Sequence, residues 1–431
     1  MMLIKVLTTK FDLKKLNLRF NINPVFSKEV ILNIFFFFAL MPYVSPVPLG
    51  TDVQILTGLI GYTVLFILLM KDKFVVDKRE LLIFGLCLVF IFYININEST
   101  YQLRKAIGPL YSFGVFYIAK RYNGYFSKKI LSAVIIIYLI GAILQFISPG
   151  IFSLIFEHFI REVKYSAVSG RGVTSFAPEP SFLGIICIYL LIIQNWFYKG
   201  EKKDKFYYYR FAACVFMILL SKSGAGYVLL FLFTASQFTG YIKKYWYIGL
   251  FMGIGLGIFV TTTDRVSGNK GLSDLVGVLK STSPKDLLRI ASLANRVNPI
   301  LVGIYGASEK PLGRGSGSFT SQARGVYLDN GLEELYPAYN RPRLLYEISS
   351  DSVSSFGKYL FEYGIFFLLY LMLILSGLDF KQAGLFTVFL VLIGLMFSLP
   401  IVYPPIWLIY GMFDKKVLAK KLANKRNLEQ V

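Results

Sequence analysis

Apolar residues come in long runs along this chain, separated by connections that carry most of its lysines and arginines. A helix that crosses a bilayer needs about 20 mainly apolar residues, or about 17 when short. By that rule the pattern predicts twelve spanning helices, at about 30–48, 52–70, 81–97, 106–119, 130–148, 181–198, 209–222, 225–240, 245–262, 357–377, 384–399 and 401–413. The fourth, seventh and twelfth are short or interrupted, the last near Tyr403-Pro404-Pro405, so the expected number is ten to twelve. Two connections are too long to be mere links: about 148–180, and about 263–356, some 94 residues. The first opens with Ile151, Phe152, Leu154, Ile155 and Phe159, the helical spacing of an amphipathic segment lying in a membrane interface. The second holds apolar-periodic stretches, Leu272 to Leu279 and Leu287 to Ile304, between Gly- and Ser-rich breaks, which predicts a small, mostly helical cap. No internal repeat is visible, which argues against an inverted-repeat transporter.

Composition reinforces this reading. Of 431 residues, 55% are hydrophobic and only 16% charged, too few charges to cover a soluble protein of this size. The net charge of +21 would suggest nucleic acid in a soluble protein. Placement removes that inference. The connections around Lys71–Arg79, Lys120–Lys129, Lys199–Arg210, Lys243–Lys244 and Lys381, together with both ends of the chain, hold most of the basic residues. By the positive-inside rule these lie in the cytoplasm, leaving the outward loops near neutral. The chain then divides into a basic cytoplasmic segment (1–28), nine spans with the first outer loop (29–262), a large outer cap (263–356), three more spans (357–413) and a basic cytoplasmic tail (414–431). The first 28 residues are basic and lack the apolar stretch and cleavage site of a signal peptide.

Cys87, Cys187 and Cys214 sit inside apolar runs without CxxC spacing, and His158 is the single histidine. A His-rich metal site is therefore excluded, and zinc chemistry and a Ser-His-Asp triad are disfavoured. On an amphipathic outer helix, His158 reads as an interfacial surface residue rather than a catalyst.

Three clusters carry candidate chemistry. The densest, Ser169-Gly-Arg-Gly-Val-Thr-Ser-Phe-Ala-Pro-Glu-Pro-Ser181, places Arg171 between glycines and Glu179 between prolines, just ahead of the sixth apolar run. A helix beginning after Pro180 leaves unpaired N–H groups and a positive dipole end facing outward, and Arg171 beside it makes an anion site. Glu179 is then a general base, a partner that holds Arg171, or simply an acidic residue at a rigid helix start. The second cluster contains Arg289, Arg296 and Lys310-Pro-Leu-Gly-Arg-Gly-Ser-Gly-Ser-Phe319, where Gly313, Gly315 and Gly317 would let backbone N–H groups approach phosphate. It lacks the strand and Lys-Ser/Thr of a nucleotide loop, and its alternative reading is a flexible turn between cap helices. The third, Ser221-Lys-Ser-Gly-Ala-Gly226, puts Lys222 at the outer junction of two spans, where it pairs with an anion or snorkels to the interface.

Taken in order, these pieces resemble a known family. They are Arg171-Gly-x-Thr-x-Phe-x-x-Glu179-Pro-Ser, Ser221-x-Ser-Gly, Arg296, Pro311-Leu-Gly-x-Gly-x-Gly-Ser-Phe319 and Tyr359-Leu-x-Glu362-Tyr-Gly364. Spread over roughly residues 30–400 of a multi-span chain, they resemble the O-antigen/capsular polysaccharide polymerase (Wzy) family, within the O-antigen ligase–polymerase superfamily. The resemblance implies an all-α polytopic fold of about 12 transmembrane helices with a helical outer cap, like the multi-span (GT-C-type) glycosyltransferases. It implies a glycosyltransferase that uses no metal or other cofactor, works on the periplasmic side of the bacterial inner membrane, and joins undecaprenyl-diphosphate-linked oligosaccharide repeats. A chain-length regulator and a flippase are the protein partners it implies, and no nucleic acid. The family's outward Arg followed eleven residues later by Gly is matched by Arg161 with Gly172 and Arg314 with Gly325. On this reading Glu179, Arg171 and Arg296 are the catalytic residues, with Arg161, Lys222, Arg289, Arg314, Gly315 and Gly317 binding substrate. The related ligases have a His near the end of the large loop; here the stretch reads Ser349-Ser-Asp-Ser-Val-Ser-Ser-Phe356, which favours polymerase over ligase. A lipid-linked oligosaccharide flippase is the alternative from another class.

Overall fold

The structure is a computed structural model that describes residues 28–45, 56–71, 76–93, 106–156, 158–160, 172–199, 201–237, 291–335, 354–380, 384–397 and 399–419. The described residues are mostly helical and form no strand, with two isolated β-bridges, Val44 to Ile160 and Leu378 to Asp414. In chain order the helices are α1 (Lys28–Leu40), α2 (Leu56–Lys71), α3 (Lys78–Phe92), α4 (Gly108–Tyr122), α5 (Lys128–Ile147), α6 (Pro149–Phe156), α7 (Pro180–Phe197), α8 (Lys205–Ser221) and α9 (Gly224–Gln237). They continue as α10 (Ala291–Glu309), α11 (Ser318–Asp329), α12 (Ser355–Tyr363), α13 (Ile365–Ser376), α14 (Leu385–Phe397) and α15 (Pro404–Met412). The all-α expectation holds, and helices occupy every predicted apolar segment except 245–262, which lies outside the described residues.

Only α5 and α7, among the described residues, combine 18 or more residues with the hydropathy needed to cross a membrane. The other apolar segments form shorter helices, for visible reasons. The segment expected at 357–377 breaks at Gly364, whose positive φ (51°) ends α12 and starts α13. The last begins at Pro404 and runs nine residues, all of them buried.

Sequence-encoded caps set several starts. Asp77 and Glu80 form a reciprocal capping box on α3, with Asp77 accepting from the Glu80 amide (2.9 Å) and Glu80 from the Asp77 amide (2.8 Å). Ser127, Asp204 and Ser354 cap α5, α8 and α12. The core centres on α7, which is mostly buried and packs against α5, α8, α9, α14 and α15. Its Trp196 indole donates to the Met412 carbonyl (3.0 Å). The second packing unit joins α10, α11 and α12 around Val302, Phe319, Ala323, Val326, Tyr327, Leu332 and Phe361. The described part of the 263–356 loop is thus helical, as expected, while 263–290 and 336–353 lie outside the described residues.

Three basic connections converge. Lys120, buried at the end of α4, forms ion pairs with Asp77 (2.8 Å), Glu80 (2.8 Å) and Asp414 (3.5 Å). Arg121 pairs with Glu80 (2.8 Å), Lys416 with Asp77 (2.9 Å) and Arg79 with Asp414. Burial acts to raise the Asp77 carboxyl, but hydrogen bonds from Lys120, the Glu80 amide and Lys416 outweigh it and hold it well below the usual carboxylate range. At another level of the fold, Ser45 donates its amide to the Phe159 carbonyl (2.9 Å), beside the bridge from Val44 to Ile160.

Candidate functional site

The first and third of the motif clusters meet. Residues 172–177 form no regular structure, yet every one is buried. Buried irregular backbone needs partners for its polar groups, and α5 supplies them from one face. Gln145 Oε1 accepts the amides of Thr174 (2.8 Å) and Ser175 (2.7 Å), while its Nε2 donates to Thr174 Oγ1 (3.0 Å). One to two turns earlier on α5, the Tyr138 carbonyl accepts from Ser175 Oγ (2.8 Å). Gly141 between them leaves room for Phe176, since a β-carbon there would come within 2.5 Å of that ring. Phe176 also packs on Phe152 and Phe156 of α6. That helix leaves Ile151, Leu154 and Ile155 exposed but turns Phe152, expected on the same apolar face, into the core.

The other side of the loop rests on the α8–α9 turn. The Val173 amide donates to the Leu220 carbonyl (3.1 Å), and Gly172 lies so close to the Ser221 backbone that a β-carbon would collide with it. The next residue, Lys222, is exposed and adopts a left-handed conformation (φ 48°) at the C-cap of α8. Ser223 then starts α9, its Oγ accepting from the Gly226 amide (3.2 Å). The first turns of α7 and α9 touch through glycines: a β-carbon on Gly184 would lie 2.8 Å from the Gly226 Cα. The N-terminal ends of α7 and α9 therefore sit side by side, beneath the 172–179 loop and next to Lys222. Each end contributes a partial positive charge.

Glu179 is the N-cap residue of α7, exposed, and its side chain caps no amide; it accepts a hydrogen bond from Ser181 Oγ (3.3 Å). Arg171, which precedes the loop, and Arg161 and Arg289 lie outside the described residues. Arg296 is half-buried on α10.

The glycine-rich stretch, open in the sequence to a phosphate cradle or to a turn between cap helices, is a turn here. It wraps the end of α12, with the Arg314 amide donating to the Phe361 carbonyl (3.3 Å) and the Gly315 amide to the Glu362 carbonyl (2.9 Å). In return the Ile365 amide donates to the Pro311 carbonyl (2.8 Å), across a gap that only Gly364 fits. These amides satisfy helix-terminal carbonyls, so the Gly315 N–H is committed within the fold. Gly313, Gly315 and Gly317 all have positive φ, which explains their composition. Gly317 starts α11. The Arg314 guanidinium pairs with Glu309, contacts Gln322 (3.4 Å) and lies 5.2 Å from the centre of the Phe361 ring. It holds α10, α11 and α12 together and is not paired with Glu179.

Gln145 escaped the sequence reading. Its signal was available: one amide side chain near the end of an otherwise strongly apolar helix, a few residues before Ser148-Pro149.

The described chain is thus an all-helical protein with two helices able to span a membrane and a buried, pinned loop at two helix starts. No family model, curated protein or solved structure matches it.

Proposed function

We propose that this chain is a polytopic membrane glycosyltransferase of the O-antigen/capsular polysaccharide polymerase kind. It extends a glycan carried on undecaprenyl diphosphate, at the periplasmic face of the bacterial inner membrane. One observation carries the reading: the 172–179 loop, the turn bearing Lys222 and the paired starts of α7 and α9 gather at one place. A lipid diphosphate leaving group calls for stationary positive charge where its negative charge develops, and helix starts, Lys and Arg supply that charge.

In the proposed reaction the bond between the donor sugar's C1 and the phosphate oxygen breaks. The electron pair leaves with undecaprenyl diphosphate, while a new bond forms from C1 to an acceptor hydroxyl of the next lipid-linked repeat. Glu179 takes the hydroxyl proton. Lys222 and Arg171 are assigned to the diphosphate, with Arg296 from α10 as the third cation. About twelve spans with both ends of the chain in the cytoplasm belong to the same proposal. It is supported by the meeting of the 77–80, 120–121 and 414–416 segments in one cluster, as basic connections on one side would.

Deletion of the encoding gene, followed by gel display of surface polysaccharide, tests it. A polymerase leaves a single capped repeat and no ladder. Lipid-linked polymer accumulating without attachment identifies a ligase, and repeats trapped at the inner leaflet identify a flippase; either overturns the proposal. Glu179→Gln, with its side chain free of structural hydrogen bonds to the backbone, inserts normally and lowers elongation by about 100-fold or more, as loss of a general base does.

A further inference from the structure

Gln145 stands apart from the groups given roles so far. It is 1% exposed, belongs to a helix of the length and hydropathy to cross a membrane, and directs both ends of its amide at a single target. A carbonyl oxygen has two lone-pair positions. Here both are occupied by consecutive backbone amides, Thr174 at 2.8 Å and Ser175 at 2.7 Å. Two successive N–H groups can point at one acceptor only if the backbone turns sharply, and Ser175 does so with φ of 50°, a conformation costly for a residue with a β-carbon. The turn is closed again by the Ser175 hydroxyl on the Tyr138 carbonyl and by the Ala177 amide on the Thr174 carbonyl (3.0 Å). Two residues beyond Ala177, Glu179 begins α7.

We infer that Gln145 is a positioning residue: by holding Thr174 and Ser175 in this turn it sets where Glu179 and the start of α7 stand relative to Lys222. Tyr138, Gly141 and Gln145 lie on one face of α5 and act as a mould, with the amide as its hydrogen-bonding end. The assignment of a catalytic consequence rests on the proposed function; the hold on the loop rests on geometry alone. Apolar substitution leaves two buried amides without an acceptor and removes the reason for the strained turn.

The test uses the full-length protein in its native membrane. The chain's three cysteines, Cys87, Cys187 and Cys214, are buried, so a thiol introduced by Ala177→Cys, at a small residue 1% exposed, reports opening of the loop to maleimide. That thiol reacts slowly in the parent background. With Gln145→Met it reacts roughly tenfold faster or more, as expected when buried amides lose their partner. Gln145→Glu, which keeps an acceptor oxygen in either protonation state, returns the rate towards that of the parent. Gly141→Ala, which pushes on Phe176 and Ser175 from below and leaves Gln145 in place, opens the loop by a second route and serves if Gln145→Met is missing from the membrane. Elongation of the host's own lipid-linked oligosaccharide by the corresponding single variants falls in the same order, in kcat rather than KM. An unchanged labelling rate in Gln145→Met or in Gly141→Ala overturns the inference. Faster labelling with kcat intact overturns the catalytic consequence. If the parent itself elongates nothing while the labelling order holds, the proposed function fails and the hold of Gln145 on the loop stands.

Discussion

Lys120 and Lys128 offer a controlled comparison of buried and exposed charge. Both are lysines in short ion pairs, at 2.8 Å to Asp77 and to Glu80 for Lys120 and 2.6 Å to Glu201 for Lys128. The Lys120 side chain is 3% exposed and Glu80 is fully buried, whereas Lys128 and Glu201 are 37% and 47% exposed. Replacing Lys120 by Met leaves Glu80 with one cation, Arg121, and the Asp77 amide, and withdraws one cation from each of Asp77 and Asp414. Removing one partner of a buried ionic group costs about 3–5 kcal/mol, because the remaining charge stays desolvated. Lys128→Met removes a pair of similar length from water and costs about 0–1 kcal/mol. Thermal unfolding of the detergent-purified protein, followed by loss of monodispersity, ranks the two: Lys120→Met melts far below the parent and Lys128→Met close to it. A second substitution, Glu80→Gln in the Lys120→Met background, recovers part of the loss by removing the stranded carboxylate. Equal shifts for the two lysine variants refute the reasoning, since they mean that burial of the cluster does not decide its strength.

Acid weakens the same cluster in a defined direction. The Asp77 carboxyl is depressed in the fold, so its contribution is fully present above the ordinary carboxylate value of about 4 and disappears as pH falls through the lower folded value. The parent therefore loses melting temperature on acidification below about pH 4, and Asp77→Asn flattens that part of the profile. Two glycines are expected to respond oppositely to Ala. Gly357 lies against the Pro299 backbone where α10 crosses α12, so Gly357→Ala forces the helices apart and costs about 1–3 kcal/mol. Gly85, inside α3 with nothing within 4 Å of a β-carbon, gains about 0.5–1 kcal/mol from the same change. Melting temperatures of the two variants on either side of the parent check the pair.

Much of the helical layout was legible in the chain because apolar periodicity and caps are local. The start at Pro180 follows from the residues, whereas the caps Asp77, Ser127 and Asp204 lie ahead of the apolar runs and open helices a few residues before the starts expected from hydropathy. The division of 357–377 was less so, because Tyr363-Gly364 becomes a break only once the 311–315 backbone claims the space beside Gly364. Candidate chemistry divided the same way. Motifs around Glu179 and Lys222 stood out by residue type, but their meeting depends on Gly172 fitting against Ser221, a contact across about fifty residues that no spacing rule encodes. The glycine-rich stretch left a ligand cradle and a turn between helices open, because free amides and amides bound to a distant helix end have the same sequence signature. Gln145 was overlooked for the converse reason: one amide in a run of apolar residues is ordinary, and its weight comes entirely from the two N–H groups it faces.

The cluster around Lys120 also sets an order of events during synthesis. Arg79 and Asp414 are separated by 335 residues, so the last carboxylate of the cluster is made long after its first cation, with Lys416 following two residues later. At about 5–20 residues per second the earlier charges wait roughly 20–70 s for Asp414. During that interval Lys120 has only Asp77 and Glu80, and the Asp414 partner of Arg79 has not yet been made. A chain broken off before Asp414 would retain all of α1 to α15 and still lack the ion pairs that tie the 414–416 segment to α3 and α4.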